Sequence, residues 1–131
     1  MTRLFLLDVI NNKAHEIQVG AGLDDYYKHL GCDCFDIANR RLGDRRFDIF
    51  VDDEGLLKDN PTISAITADN EPMLVGNLIF ANHDGQGNTI SLSDNDIETI
   101  KSHIREVQTF RKTNDGYEIA GNNKMVVGLE Y

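Results

Sequence analysis

Four of the chain's seven arginines fall within seven residues, Arg40-Arg41-Leu42-Gly43-Asp44-Arg45-Arg46, in a protein whose formal net charge is −9. Guanidinium groups present planar, forked donors, so a cluster of them at a turn can hold a phosphate or a carboxylate inside an otherwise repulsive field. Alternatively they neutralise the neighbouring acids Asp36, Asp44, Asp48 and Asp52, the commoner explanation of a charge cluster. Arg40, Arg41, Arg45 and Arg46 are therefore the candidate anion-binding residues.

Cys32 and Cys34 are one residue apart, too close for an unstrained disulfide in an ordinary strand or turn. They are expected to be reduced thiols with packing roles. A Cys-x-Cys pair is half of a zinc site, but no second pair exists and only His29 lies nearby in sequence, so no metal ligands are assigned. A cysteine or serine nucleophile needs a histidine delivered by the fold, because His15, His29, His83 and His103 are dispersed and form no local motif. Asp52-Asp53-Glu54 lacks the calcium-loop pattern, and adjacent strand residues point to opposite faces, so it is expected to be a solvated turn. Gly85-Gln86-Gly87 lacks the third glycine of a dinucleotide fingerprint and is expected to be a turn as well. No catalytic residue and no cofactor is assigned.

The chain must position these groups with 131 residues, 40 % of them hydrophobic, 27 % charged and 8 % aromatic. That is ordinary globular usage, and it predicts one folded domain over 1–131. No apolar run approaches a membrane span, since Met73 to Ala81 is interrupted by Gly76 and Asn77. The N-terminus is too short in apolar residues for a signal peptide, and the reduced thiols suit the cytoplasm, which is the expected location. A pI near 4.7 opposes nucleic-acid binding, because a polyanion meets a repulsive field. DNA mimicry is disfavoured by the scatter of the acids.

The pattern predicts a hairpin from the apolar opening strand Leu4 to Ile10 and Ala14 to Val19, with a turn at Asn11-Asn12-Lys13. A short helix over about 22–31 follows, stopped by Gly31. Phe35 to Leu42 and Phe47 to Val51 form a second hairpin around Gly43-Asp44. Leu56-Leu57-Lys58 starts an irregular stretch stopped by Asn60-Pro61, and Ile63 and Ile66 tuck into the core. Met73 to Ala81 reads as one central strand. Ser93 is an N-cap followed by Asp94 and Asp96 in the first turn, and Ile97, Ile100, Ile104 and Val107 extend one apolar stripe, predicting a long helix over about 93–111. After Thr113-Asn114-Asp115-Gly116, the tail forms an edge hairpin around Gly121-Asn122-Asn123. The expected class is α+β: a mainly antiparallel sheet of about five to seven strands packed against the long C-terminal helix and the short one.

The segment Phe47-Asp48-Ile49-Phe50-Val51-Asp52-Asp53-Glu54-Gly55-Leu56-Leu57-Lys58, with Asn60-Pro61 and Ile63-Ser64-Ala65-Ile66, resembles the family of domain of unknown function 3846. The likeness continues through Pro72 to Phe80 and the Asp84-Gly85 turn into Ser91-Leu92-Ser93-Asp94, covering most of 35–110. Some relatives carry Asn-Arg-Ala where this chain has Ile63-Ser64-Ala65, so a role tied to that arginine does not transfer. The resemblance implies an accessory protein of phages, plasmids or gut bacteria and brings no catalytic residues. The leading expectation is a non-enzymatic accessory protein that binds a host protein or a small anionic ligand, for instance a phage protein that sequesters a nucleotide immune signal. The alternative is a small cytosolic hydrolase or nucleotide-processing enzyme using Cys32 or Cys34. A third is homo-oligomerisation through the exposed tail edge.

Overall fold

The computed structural model describes residues 1–55 and 62–131. In chain order the elements are β1 (Thr2–Asp8), β2 (Lys13–Val19), α1 (Asp24–Leu30), β3 (Phe35–Leu42), β4 (Arg45–Asp52), β5 (Ile63–Ile66) and β6 (Pro72–Val75). They continue with β7 (Leu78–His83), β8 (Thr89–Ile90), α2 (Asp94–Ser102), β9 (Ile104–Thr113), β10 (Gly116–Val127) and β11 (Leu129–Glu130). The main sheet runs β11-β3-β4-β7-β1-β2, with β8 paired to the end of β7, and a second sheet runs β6-β5-β10-β9. Among the described pairings only β5–β10 is parallel.

β1 is apolar at consecutive positions because both faces of the main sheet are covered. Leu4 and Leu6 join Ile17, Val19, Phe50, Ile79 and Ala81 beneath Tyr26 and Leu30 of α1. Phe5 and Leu7 point the other way, into a core with Phe47, Ile49, Leu78, Phe80, Ile97 and Ile100 of α2, and Ala65 and Val126 of the second sheet. Side chains alternate along a strand, so a strand buried on both faces loses its polar alternation. On the α1 side, Tyr26 and Phe50 stack with ring centroids 4.7 Å apart.

Both expected hairpins form, β1–β2 and β3–β4, and α1 ends at Gly31, whose φ of 66° is the left-handed conformation that glycine adopts without strain. The α+β class holds, but the long helix over about 93–111 does not: α2 spans only Asp94–Ser102, and Ile104 to Thr113 is strand. At the end of α2 the Ser102 hydroxyl donates to the Thr99 carbonyl at 2.8 Å, and His103 Nδ1 lies 2.8 Å from the same oxygen. Such local side-chain bonds compete with the helical ladder. Beyond them, Ile104, Val107, Thr109, Phe110 and Thr113 are β-branched or aromatic and favour a pleated surface.

Met73 to Ala81 is also two strands rather than one. Gly76, at φ 75°, turns the chain between β6 in the second sheet and β7 in the middle of the first. Asn77 holds that break: buried, it accepts from Val9 N–H at 2.9 Å and donates to the His29 carbonyl at 2.9 Å, tying the ends of β1 and α1 together. Ile66 is buried as expected, whereas Ile63 is exposed. The tail turns at Asn114-Asp115, earlier than expected, and Gly121 lies at a register shift inside β10. The expected irregular stretch at Leu56-Leu57-Lys58 and the stop at Asn60-Pro61 lie outside the described residues.

Candidate functional site

The four clustered arginines flank the turn at Gly43-Asp44, where Gly43 has φ 64°. The β3–β4 register pairs Arg41 with Arg46, Arg40 with Phe47, and Leu42 with Arg45. Cross-strand partners share a face and neighbours along a strand do not. Arg40 and Arg45 therefore lie on the face of Phe47 and Leu42, toward α2, and Arg41 and Arg46 lie on the opposite face. The sequence cluster becomes two pairs back to back.

The α2-side pair is tied into the fold. Arg45 Nη1 donates to Asp96 Oδ1 at 2.9 Å, and Arg40 packs its guanidinium 4.7 Å from the centroid of the Tyr131 ring while Nη1 donates to the Asn39 carbonyl. Asp96 itself is buried and closes the N-terminus of α2: it accepts from Ser93 N–H at 3.0 Å, and its own N–H donates to the Ser93 hydroxyl at 3.1 Å. Burial pushes its carboxyl pKa up, but the bonds from the Ser93 backbone and hydroxyl and from Arg45 outweigh that and hold it below the ordinary value.

On the other face, Arg41 and Arg46 are both exposed. Arg41 donates through Nε, at 2.7 Å, and through Nη2 to one carboxylate oxygen of Glu130. Arg46 donates from Nε to Asn39 Oδ1 at 2.7 Å and from Nη2 to the Tyr131 carbonyl at 3.1 Å. Asn39 Nδ2 in turn donates to Asp48 Oδ1 at 3.0 Å, and Asp48 Oδ2 lies 2.6 Å from His83 Nδ1. Asp48 pairs with Ala81 in the β4–β7 register, so the same register extended by two residues sets Arg46 across from His83. A row of Arg41, Arg46 and His83 thus crosses three strands, with Asp48 orienting the imidazole. Like charges directly opposite on a sheet are destabilising, and Arg41 and Arg46 face each other with one carboxylate, Glu130, on Arg41.

Cys32 and Cys34 line a separate open cleft of about 520 Å³ with Tyr27, Lys28, Asp33, Asp52 and Glu54. No disulfide joins the two cysteines, and no histidine is among the lining residues. Among the described residues no three His, Cys, Asp or Glu side chains are placed to hold a metal ion. Asp52 and Asp53 sit at the end of β4 and in the turn after it, with Asp52 accepting from Glu54 N–H at 3.0 Å. In the Asp84 to Asn88 turn, Asp84 Oδ1 accepts from Gln86 and Asn88 N–H, both at 2.9 Å. Those bonds, from Asn88 and then Gln86, lower the Asp84 pKa.

His83 and Asp48 are 35 residues apart, so no local spacing could have paired them. Strand alternation, by contrast, does separate Arg40 from Arg41 in the sequence itself. Among family models, residues 2–105 match the one described as Domain of unknown function (DUF3846). No curated protein and no solved structure gives a significant match.

Proposed function

The chain belongs to the family of domain of unknown function DUF3846, and from that premise we propose that it is a non-enzymatic accessory protein of a phage or other mobile element that binds a small anionic ligand, or an anionic group on a host protein, in the cytoplasm. The observation that carries this is the direct opposition of Arg41 and Arg46 on one exposed face, beside a histidine whose Nδ1 is held by Asp48. Two forked donors at cross-strand distance, about 5 Å between Cβ atoms, suit the oxygens of a phosphate. Arg40 and Arg45 support the hairpin from behind, through Tyr131 and Asp96. Calorimetry with cyclic and linear nucleotides tests the reading: saturable binding that is lost in Arg41→Ala and Arg46→Ala is expected, and no heat with any member of the panel would overturn it.

A small hydrolase or nucleotide-processing enzyme is the second reading, favoured by the presence of both thiols in one cleft. It requires turnover in a phosphatase, esterase and nucleotidase screen that disappears on Cys32→Ala or Cys34→Ala.

A further inference from the structure

An open cavity of about 290 Å³ lies where α1 and β1 begin, walled by Leu23, Tyr26 and Phe50, with the polar groups of Thr2, Asn88 and Thr89 around it. None of the described residues that line it is charged. Leu23 is 52 % exposed at its rim. Tyr26 is 6 % exposed and stacks on Phe50, yet its hydroxyl has no hydrogen-bond partner among the described residues. A buried phenol ordinarily has such a partner. Burial, and then Asp25, push the Tyr26 pKa up, so the hydroxyl is a neutral donor.

The cavity and the row of Arg41, Arg46 and His83 share one face of the main sheet. Phe50 belongs to the core beneath α1, and Asp48 and Arg46 follow it on the same side of β4 by alternation. Thr89 pairs with His83, so it lies on that face too. β8 runs on the side of β7 away from β4, because the chain after it bonds to β1: Arg3 N–H donates to the Ser91 hydroxyl at 2.9 Å, and Leu92 N–H donates to the Arg3 carbonyl at 2.8 Å. Across the sheet the order is therefore Arg41, Arg46, His83, Thr89, at strand spacings of about 5 Å. The uncharged cavity opens one strand beyond the last cation of the row.

We propose that the anion bound at this face is the phosphate of a nucleoside monophosphate, whose base enters the cavity against Leu23, Tyr26 and Phe50. The inference rests on the anion-binding reading and adds what the ligand carries besides its charge. Inorganic phosphate leaves the cavity unfilled. A base is flat, uncharged and edged with donors and acceptors, which suits aromatic and aliphatic walls with a few hydroxyl and amide groups among them. Its sugar bridges the one or two strand spacings, about 5–10 Å, between the cavity and Arg46 with His83.

Calorimetry on the full chain tests it, with adenosine, guanosine, cytidine and uridine monophosphates set beside ribose 5-phosphate and inorganic phosphate. At least one nucleoside monophosphate is expected to bind about tenfold or more tightly than ribose 5-phosphate. Tyr26→Phe, which removes a hydroxyl that the fold leaves unpaired, and Leu23→Ser, at the exposed rim, are each expected to erase most of that preference while the affinity for inorganic phosphate stays the same. Arg46→Ala is expected to weaken every phosphate compound alike. Ribose 5-phosphate binding as tightly as all four nucleotides, or a preference that both cavity variants leave intact, overturns the inference and spares the anion-binding reading. Failure of every phosphate compound to bind overturns both.

Discussion

Replacing Asp96 by alanine tests how the hairpin is fastened to α2. The substitution removes the acceptor for Ser93 N–H at 3.0 Å and for Arg45 Nη1 at 2.9 Å; the Asn82 contact, at 3.4 Å, adds little. Half of a capping box is worth about 1 kcal/mol. A buried charge-assisted bond is worth more, but the Arg45 side chain is 38 % exposed, and solvent screening brings that contribution to about 1 kcal/mol. The expected loss is about 2 kcal/mol, or about 6–8 °C in Tm for a domain of this size. The chain has no tryptophan, so urea unfolding followed by far-UV circular dichroism is the assay. Asp96→Asn, which keeps an acceptor and loses the charge, separates the pH dependence. Because the folded pKa of Asp96 lies below the ordinary 3.8, its ionised form stabilises the fold above the unfolded value, and that contribution disappears as pH falls through the folded value. The gap between wild type and Asp96→Asn therefore narrows in acid. A loss under about 0.5 kcal/mol for Asp96→Ala, or a gap as wide in acid as at neutral pH, would refute this account.

Asn77→Ala strands the Val9 N–H and the His29 carbonyl, and chemical denaturation is expected to show a loss of about 2–3 kcal/mol, with Asn77→Asp losing at least as much, because it keeps the acceptor for Val9 but sets a buried carboxylate against the His29 carbonyl and beside Asp8. Gly76→Ala meets no neighbouring atom within 4 Å but must hold φ 75°; it is expected to cost about 1 kcal/mol in the same measurement. Cys34 is exposed and Cys32 only partly so, and timed alkylation read by mass spectrometry should modify Cys34 first.

Where one residue type dictates one local conformation, the sequence was readable. Ser93 with acids in the first turn marked the start of α2, and Gly31 marked the end of α1. Asn11-Asn12 and Gly43-Asp44 marked the two hairpins, with Asn12 at φ 54° and Gly43 at φ 64°. The end of α2 was hidden because Ile104, spaced as the next turn of the apolar stripe, packs against the same core from the start of β9. Two unlike elements thus presented a single period. The break in Met73 to Ala81 was visible as Gly76-Asn77, but nothing local says that the flanking strands belong to different sheets. At the candidate site, alternation separates Arg40 from Arg41 and Arg45 from Arg46, and the register of the hairpin turned at Gly43-Asp44 puts Arg40 with Arg45 and Arg41 with Arg46. The contribution of His83 depends on the placement of β7 beside β4, a long-range pairing that leaves no mark on either strand.

The most direct test of the anion-binding face is a titration with inorganic phosphate followed by NMR of the arginine Nε–Hε and histidine imidazole resonances. Arg41, Arg46 and His83 are predicted to shift together and saturate, while Arg45, already held by Asp96, stays in place. Absence of saturable shifts, or movement centred on Arg40 and Arg45, would contradict the account.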